Sequence, residues 1–408
     1  MNVAVVGAGI VGLSVAWFLQ ARGVEVTIFD RRDVGAGASA GNAGWISPGL
    51  AVPLPDPRLM RYGLRSLLRA HAPLRIPPAE LPAMWRFLAC LAANCRASRW
   101  NTGVASFVAI NNAAIAAYDA IVAGGVVADI VDAPIDFALR DRRQVSSVRH
   151  EVETLARHGL APSLTQLREI DILAEHPILT SHTHYGLRLE GQRYLQPLPF
   201  VRALANSVLN RGGRCVLETD VIGFSAAKRG IILESALGSE HFDAVVLANG
   251  AWMSRLAAPI GVRLPIAAGR GYSFIVGSHS SLSSPLYFPE VRVACTPSAQ
   301  GVRVGGTMEF SSPDAPHNER RIEAIVASMR PFMKGIDWDQ RRDTWVGPRP
   351  VTSDGLPLIG ATRVPNAYVA GGHGMFGMTL GPVTGQLLAK LITSGEVPAA
   401  LQPFDPCR

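Results

Sequence analysis

Arg349 stands between two prolines in the stretch WVGPRPVTSDGLPLIG, residues 345–360. Pro348 and Pro350 restrict the backbone on both sides, because proline fixes its own φ and limits the residue before it. A guanidinium held in this way can bind a carboxylate through two parallel hydrogen bonds, which lysine cannot do. The stretch therefore indicates an anchor for a carboxylate. An ordinary surface arginine in a proline-rich loop is the alternative.

Three glycines near the start of the chain, Gly7, Gly9 and Gly12, have the spacing of a dinucleotide-binding turn. They follow the apolar run NVAVV, typical of a buried parallel strand, and open the helical stretch IVGLSVAWFLQARG. Such glycines permit the tight bend, the approach of a pyrophosphate and close packing of helix on strand. Asp30, about twenty residues further on, can accept hydrogen bonds from a ribose. The combination predicts dinucleotide binding.

A second glycine-rich stretch, GAGASAGNAGWISPG at residues 35–49, follows the next predicted strand. Its glycines allow close backbone approach to a ligand. Ser39 and Asn42 add compact hydrogen-bonding side chains. A flexible loop would have a similar composition, but beside a bound dinucleotide the stretch is interpreted as a second cradle.

In this order the motifs resemble the D-amino acid oxidase/dehydrogenase superfamily of FAD enzymes, and in particular its bacterial D-amino acid dehydrogenase small subunits. The resemblance continues through VLANGAW, GTMEF, GPRPVTSDGLPLIG and AGGHGMFGMTLGPVTGQLLA, so that it covers nearly the whole chain. It implies FAD as cofactor and an amino acid as substrate. In this superfamily hydride passes from the substrate Cα to flavin N5, and the imino product is hydrolysed to an oxo acid.

The resemblance also implies roles for individual residues. Arg349 takes the position of the carboxylate-binding arginine, and Tyr272 is expected to hydrogen-bond the carboxylate or to close the pocket. His373 is expected to structure its loop, with a role as base as the alternative. The residues expected to hold FAD are Gly7, Gly9, Gly12, Asp30, Arg31, Ser39, Asn42, Ala43, Gly44, Val221, Asn249, Gly250, Gly374, Gly377, Met378, Thr379 and Leu380.

The electron acceptor is suggested by the three lysines, Lys228, Lys334 and Lys390. Some oxidases of the superfamily place a lysine over the flavin, and none of these three stands in a flavin-facing motif. A dehydrogenase that reduces a quinone or an electron-transfer protein is therefore favoured over an oxygen-using oxidase. The basic, aromatic segment 61–100 could rest on an anionic membrane, or it could be an interdomain packing segment.

The identity of the substrate stays open, because Trp45 stands where the superfamily often has a polar residue and could change the shape of the substrate pocket. D-Proline and cis-4-hydroxy-D-proline are therefore alternatives to a linear D-amino acid. Additional subunits and covalent attachment of the flavin also stay open.

Strand–helix units at both ends, with β-rich segments between them, predict a mixed α/β fold. The expected parts are a discontinuous Rossmann-like FAD-binding domain (1–55, 196–262 and 340–408) and a β-sheet-rich substrate-binding domain (56–195 and 263–339).

Composition narrows the function classes for this chain of 408 residues. It is 48% hydrophobic and 17% charged, which suits a large core. The net charge is +7, but no run of five basic residues occurs, so nucleic-acid binding is not expected. Five cysteines without a CxxC spacing predict neither a disulfide framework nor a metal site. No long apolar run other than the glycine-rich start suggests a membrane span. A cytoplasmic protein is therefore expected, and a location at the inner face of the membrane stays open.

Overall fold

The computed structural model describes residues 1–57 and 72–408. Within them the helices are α1 (Ile10–Gln20), α2 (Leu81–Asn94), α3 (Ala97–Ala123), α4 (Arg142–Arg157), α5 (Glu169–Glu175), α6 (Pro197–Asn210), α7 (Met253–Ala257), α8 (Glu319–Met329) and α9 (Gly377–Ser394). The strands are β1 (Asn2–Val6), β2 (Glu25–Phe29), β3 (Trp45–Ile46), β4 (Leu74–Arg75), β5 (Ile130–Asp132), β6 (Ile135–Leu139), β7 (Leu164–Leu167), β8 (Tyr185–Leu189), β9 (Arg193–Leu195), β10 (Arg214–Val216), β11 (Val221–Ala226), β12 (Ile231–Ser235), β13 (Gly238–Phe242), β14 (Ala244–Leu247), β15 (Ile266–Ser278), β16 (Leu286–Phe288), β17 (Val293–Ser298), β18 (Gly301–Phe310), β19 (Ile336–Thr352), β20 (Leu358–Ala361) and β21 (Ala367–Gly371).

One sheet joins the two ends of the chain in the order β10-β2-β1-β14-β21-β20. Its strands are parallel except for β20, which runs antiparallel to β21. Alternate residues of β1 enter opposite cores: Val3 and Val5 pack with α1, α6 and α9, whereas Ala4 and Val6 pack with β11 and β12. The near-continuous apolar runs read from the sequence thus reflect burial on both faces.

A second, larger sheet has the order β19-β15-β18-β17-β16-β6-β8-β7, with β4 beside β18. It is mainly antiparallel, and its longest pair is β15 with β19. Helix α8 covers part of it through Ile322, Ile325 and Met329. These two sheets give the mixed α/β class that the sequence predicts. The exact domain boundaries stay a prediction.

Helix α3 belongs to the core of the first sheet, although the predicted boundaries assign its residues to the substrate-binding domain. Phe107, Ala114 and Tyr118 of α3 are buried among the side chains of α1, α6 and α9. By length and hydropathy α3 could cross a membrane, but half of its most apolar window is buried in the protein. Its apolar residues are explained by this packing.

Helices α1 and α9 run parallel and in close contact, because glycines in α9 face the α1 backbone. A Cβ at Gly381 would lie 3.1 Å from Ile10 Cγ1, and a Cβ at Gly385 would lie 2.5 Å from the backbone carbon of Ser14. The contacts advance by four residues on both helices, from Gly381 to Gly385 and from Ile10 to Ser14, so the helices run in the same direction and their N-termini lie at the same end of the sheet. The α1–α9 contact therefore positions two helix N-termini together.

We predict that Gly385→Leu lowers the free energy of unfolding by at least about 2 kcal/mol, because the side chain would be forced against the α1 backbone. Urea denaturation followed by circular dichroism measures this change. Gly223→Leu is the control, since a Cβ at Gly223 would have its nearest neighbour 3.8 Å away. Equal losses of stability in the two variants would contradict the proposed close contact.

Candidate active site

A cavity of about 370 Å³ opens at the carboxyl ends of β1, β2, β14 and β21 and extends to β19. This is where ligands bind in open α/β sheets. The predicted site residues that line it are Gly7, Gly9, Asp30, Arg31, Ser39, Asn42, Val221, Asn249, Gly250, Arg349, Gly374, Gly377 and Met378. The fold thus brings most of the widely separated predicted residues to one cavity.

The first glycine turn needs the absence of side chains for two reasons. Gly7 has φ +119°, in the left-handed region, and a Cβ there would lie 2.4 Å from the carbonyl oxygen of Ala248. Gly12 does not line the cavity, but its Cβ would lie 1.9 Å from the carbonyl oxygen of Gly7. Gly9 faces the cavity with only Ser39 Oγ near its missing Cβ, at 3.3 Å. This turn can therefore admit a bulky anionic group against the backbone.

Asp30 is oriented by the backbone at the end of β2. Its Oδ2 accepts a hydrogen bond from the N–H of Ala8 at 2.7 Å, and its Oδ1 accepts one from Arg32 at 2.9 Å. Burial raises the pKa of the Asp30 carboxyl, and these two donors partly oppose the rise. Each oxygen keeps a second lone pair for a ligand hydroxyl.

Four predicted residues lie behind the cavity wall instead of on it: Ala43, Gly44, Thr379 and Leu380. Thr379 Oγ1 accepts from the N–H of Ser47 and donates to the carbonyl of Trp45, both at 3.1 Å. Gly44 has φ +81°. These residues connect the second glycine-rich stretch to the start of α9. In this structure they support the residues that line the cavity.

Arg349 is half-buried on β19 and faces the cavity. Its Nη1 donates to the carbonyl of Thr307 at 2.9 Å, and its guanidinium covers Gly271, where a Cβ would lie 2.0 Å from Nη2. Burial lowers the pKa of Arg349 to about 10, so the group stays charged at neutral pH. Among residues 1–57 and 72–408 it forms no ion pair. The cavity wall therefore contains a cation that forms an ion pair with no carboxylate of the described residues, which is an anion-binding arrangement.

Tyr272 differs from its expected position. It does not line the cavity: its ring is fully buried, and its hydroxyl donates to Glu309 Oε2 at 2.9 Å. Burial also raises the pKa of its phenol. Successive residues of a strand point to opposite faces, and the neighbouring Gly271 is the residue that faces Arg349. Tyr272 accordingly packs in the core below the sheet, and the expected contact with a substrate carboxylate is not supported by this geometry.

His373 belongs to the cavity wall, and one of its ring nitrogens has no hydrogen-bond partner among the described residues. Its Nε2 is 2.9 Å from Thr384 Oγ1, whereas its buried Nδ1 has no partner within the described part of the chain. Burial lowers the pKa of His373 to about 4, so the ring is neutral at pH 7. Such an unpartnered atom fits a site that receives a polar ligand.

Two cavity residues that the sequence analysis did not assign, Trp252 and Asp314, contact the predicted residue Arg31. The Arg31 guanidinium carbon is 4.1 Å from the Trp252 ring centroid, and Asp314 accepts from Arg31 Nη2 at 2.5 Å and from Trp252 Nε1 at 2.8 Å. Burial alone would raise the pKa of Asp314. The hydrogen bonds from Arg31 and Trp252 and the positive charge of Arg31 together have the larger effect and bring this pKa below its usual range. Trp252 stands in the quoted VLANGAW motif, whereas nothing in the sequence indicated Asp314. We call these three residues the Asp314 clamp.

A polar cluster away from this cavity contains Asp136, Glu175 and His176, with ligand-type atoms within 4.8 Å of one another. Arg188 donates to both carboxylates, with Nη2 2.7 Å from Asp136 Oδ2. Burial raises the pKa of Asp136, but the hydrogen bonds from Arg188 and His176 bring it below its usual range. Because a guanidinium already neutralises the acids, the cluster is interpreted as a structural ion network.

A cavity over a glycine turn at the strand ends, with a half-buried cation in its wall, is typical of an enzyme that binds a nucleotide cofactor and an anionic substrate. Residues 2–391 match the FAD dependent oxidoreductase (DAO) family model, and the chain belongs to this family. It is 30% identical over 425 residues to a D-amino acid dehydrogenase of Vibrio cholerae serotype O1, covering 99% of this chain and 98% of that protein. A D-amino acid dehydrogenase of Rhizorhabdus wittichii is 31% identical over 414 residues, or 98% and 97% of the two chains.

Similarity to a solved structure supports the same fold. Glycine oxidase from Geobacillus kaustophilus matches with a TM-score of 0.76 and 22% identity, over 100% of this chain and 98% of that chain. The predicted fold class, the family and FAD as the cofactor are therefore confirmed. The glycine turn and the unpartnered His373 Nδ1 fit such a cofactor.

We predict that Asp314→Asn accelerates the release of FAD about threefold to tenfold, because a charge-assisted hydrogen bond to Arg31 is replaced by a neutral one. The rise of flavin fluorescence on release gives the rate. Added salt should accelerate release in the wild type more than in the variant.

Asp33→Asn is the matched control for this change of charge. Asp33 lies two residues after Arg31 in the chain but outside the cavity wall. Its Oδ1 accepts a hydrogen bond from the N–H of Val34, and the side-chain oxygen of asparagine can accept the same bond. Equal release rates for Asp314→Asn and Asp33→Asn would show that the clamp does not retain the cofactor.

Proposed function

We propose that this protein is a FAD-dependent D-amino acid dehydrogenase that transfers electrons to a quinone or an electron-transfer protein. The observation that carries the proposal is the charged guanidinium of Arg349 at the FAD cavity, which forms an ion pair with no residue that the structure describes. The names of the relatives support an amino acid as substrate. A free amino acid supplies the carboxylate that this guanidinium lacks.

FAD, when bound, supplies the acceptor for the substrate hydride. The protein's contribution is orientation. Arg349 binds the carboxylate in two-point fashion, and the Thr307 carbonyl and the space over Gly271 determine where the guanidinium lies. His373 is neutral at pH 7 and can accept a hydrogen bond at Nδ1. Little further acid–base machinery is required of the chain.

We infer that the cavity is divided between the parts of the cofactor. The turn at Gly9 and the N-terminus of α1 would hold the diphosphate, and Asp30 would accept from ribose hydroxyls. The start of α9 contributes Gly377 and Met378 to the cavity. Its N–H groups would stabilise negative charge on the reduced flavin ring. The Val221 carbonyl accepts a hydrogen bond from Arg255 Nη2 at 2.8 Å, and the expected backbone contact of Val221 with adenine stays a prediction.

A dehydrogenase is favoured over an oxidase by the positions of the lysines. Lys228, Lys334 and Lys390 are all exposed, and none lines the cavity. These are all the lysines of the chain. No lysine is therefore available beside the cavity to promote reaction with oxygen, which supports a different electron acceptor.

The acceptor's location is suggested by helix α2. Its inner face buries Met84 and Phe87, whereas Trp85 is 67% exposed and Leu81 40% exposed. Arg86 is also exposed. An exposed tryptophan beside a basic residue is compatible with a helix that rests on an anionic membrane surface. We propose that α2 docks there and gives access to a membrane quinone. The basic stretch 61–71, part of the segment to which the sequence analysis gave this role, lies outside the described residues.

We predict that D-amino acids reduce the flavin anaerobically and that Arg349→Lys raises the KM by about tenfold or more, because a two-point, charge-assisted contact is worth roughly 1.5–3 kcal/mol. Gly271→Ala should have a similar effect, since its Cβ would displace the guanidinium. Stopped-flow measurement of flavin bleaching at increasing substrate concentrations gives the half-saturating concentration for each of the two variants.

Gly277→Ala is the control for Gly271→Ala, because it lies on the same strand and its Cβ would have its nearest neighbour 3.9 Å away. If Arg349→Lys stays within twofold of the wild type, Arg349 is not the anchor. If no amino acid of either hand reduces the flavin, the proposed function is wrong.

We predict that the holoenzyme sediments with vesicles containing phosphatidylglycerol and not with phosphatidylcholine vesicles. Trp85→Ala should weaken this binding by about threefold or more, since it removes the largest exposed apolar side chain of α2. Val127→Ala, at a position 89% exposed and remote from α2 in sequence, is the control. Equal binding to both kinds of vesicle would exclude the proposed electrostatic docking.

A further inference from the structure

Two glycines form a bare platform beneath the substrate anchor. Gly271 of β15 and Gly347 of β19 are directly paired in the antiparallel register. The Arg349 guanidinium covers Gly271, as described above. The indole of Trp345 covers Gly347, where a Cβ would lie 1.7 Å from Cη2 and 2.0 Å from Cζ2 of the ring. Opposed residues in such a pair have Cα atoms about 5 Å apart, so the indole and the guanidinium lie side by side.

The other side of the indole is covered by the second glycine-rich stretch. A Cβ at Gly41 would lie 2.2 Å from Trp345 Cδ2. Gly41 is held by its carbonyl, which accepts from Ser273 Oγ at 2.7 Å, and the next residue, Asn42, lines the FAD cavity. The indole is thus enclosed between the sheet and a loop of the cofactor site. It cannot swing towards Gly41 or Gly347 without moving the backbone.

We propose that Trp345 is the wall of the substrate side-chain compartment and determines which amino acids are accepted. This inference rests on the proposed function. Trp345 does not itself line the cavity of about 370 Å³, but it lies beside Arg349, which does. A carboxylate held by Arg349 would place the substrate Cα one bond from the carboxylate carbon, and a side chain directed along the platform would meet the indole. Small side chains and flat rings, as in D-alanine and D-proline, fit beside the indole. Long or branched side chains, as in D-leucine and D-phenylalanine, collide with it.

The test compares substrates within each enzyme sample. Anaerobic flavin reduction is measured for D-alanine, D-proline, D-leucine and D-phenylalanine with the wild type, Trp345→Phe and Trp345→Ala. The ratio of kcat/KM for D-phenylalanine to that for D-alanine should rise at least about tenfold in Trp345→Ala, and less in Trp345→Phe. This ratio does not depend on the fraction of active enzyme, so partial misfolding does not imitate the effect.

Thr344→Ala is the matched control. Thr344 is the exposed neighbour of Trp345 in the chain and lies outside the cavity wall. Its substrate ratio should equal that of the wild type. A ratio in Trp345→Ala within twofold of the wild type, with FAD retained, would overturn the inference while leaving the proposed function intact.

Binding of simple carboxylates tests the role of Trp345 even if the proposed function is wrong. Perturbation of the flavin spectrum by acetate and by benzoate is titrated in the same variants. If no amino acid reduces the flavin, the proposed function fails. An increase in the affinity for benzoate relative to that for acetate in Trp345→Ala would still support a wall beside Arg349. An unchanged ratio of the two affinities would contradict it.

Discussion

The cost of withdrawing a positive charge partly from water is the constraint on which the substrate side of this structure depends. Arg349 keeps its charge at neutral pH although burial lowers its pKa, and the only hydrogen-bond acceptor that the described residues give it is the carbonyl of Thr307. Removing one partner from a buried ion pair is strongly unfavourable. A structure that keeps a charged guanidinium without a carboxylate among the described residues leaves the opposite charge to be supplied by an anion, and the proposed anchoring role rests on that missing charge.

Close backbone approach is what makes the arrangement feasible. A guanidinium and an indole can lie flat on the sheet only because Gly271 and Gly347 have no side chains. On the cofactor side, Gly7 and Gly12 allow β1, α1 and the residue after β14 to meet within van der Waals distance. In both places the chain gives up side-chain packing so that flat or charged groups can contact backbone. These glycines consequently explain more of the site than its polar residues do.

Site residues that belong to a local sequence pattern could be predicted, whereas residues whose contacts are distant in the chain could not. The turn at Gly7 and its acid at Asp30 are local patterns within one strand–helix–strand unit, and the structure brings both to the cavity. Tyr272 was assigned without knowledge of strand register, and a shift of one residue reverses the face on which a side chain lies. Trp345 and Asp314 were not identified because their partners are distant in sequence and belong to other elements. Such contacts depend on the pairing of β15 with β19 and on the course of the chain after β18.

Strand β18 links the two ends of the cavity. Its residue Thr307 has φ +58°, a strained left-handed conformation for a non-glycine residue, and directs its carbonyl to Arg349. A few residues beyond the end of the strand, Asp314 binds Arg31 and Trp252 at the nucleotide side. The conformation of Thr307 is therefore maintained by a strand that is tied to the cofactor site. Strand β18 and the residues after it therefore supply both the carbonyl that orients Arg349 and the carboxylate that binds Arg31.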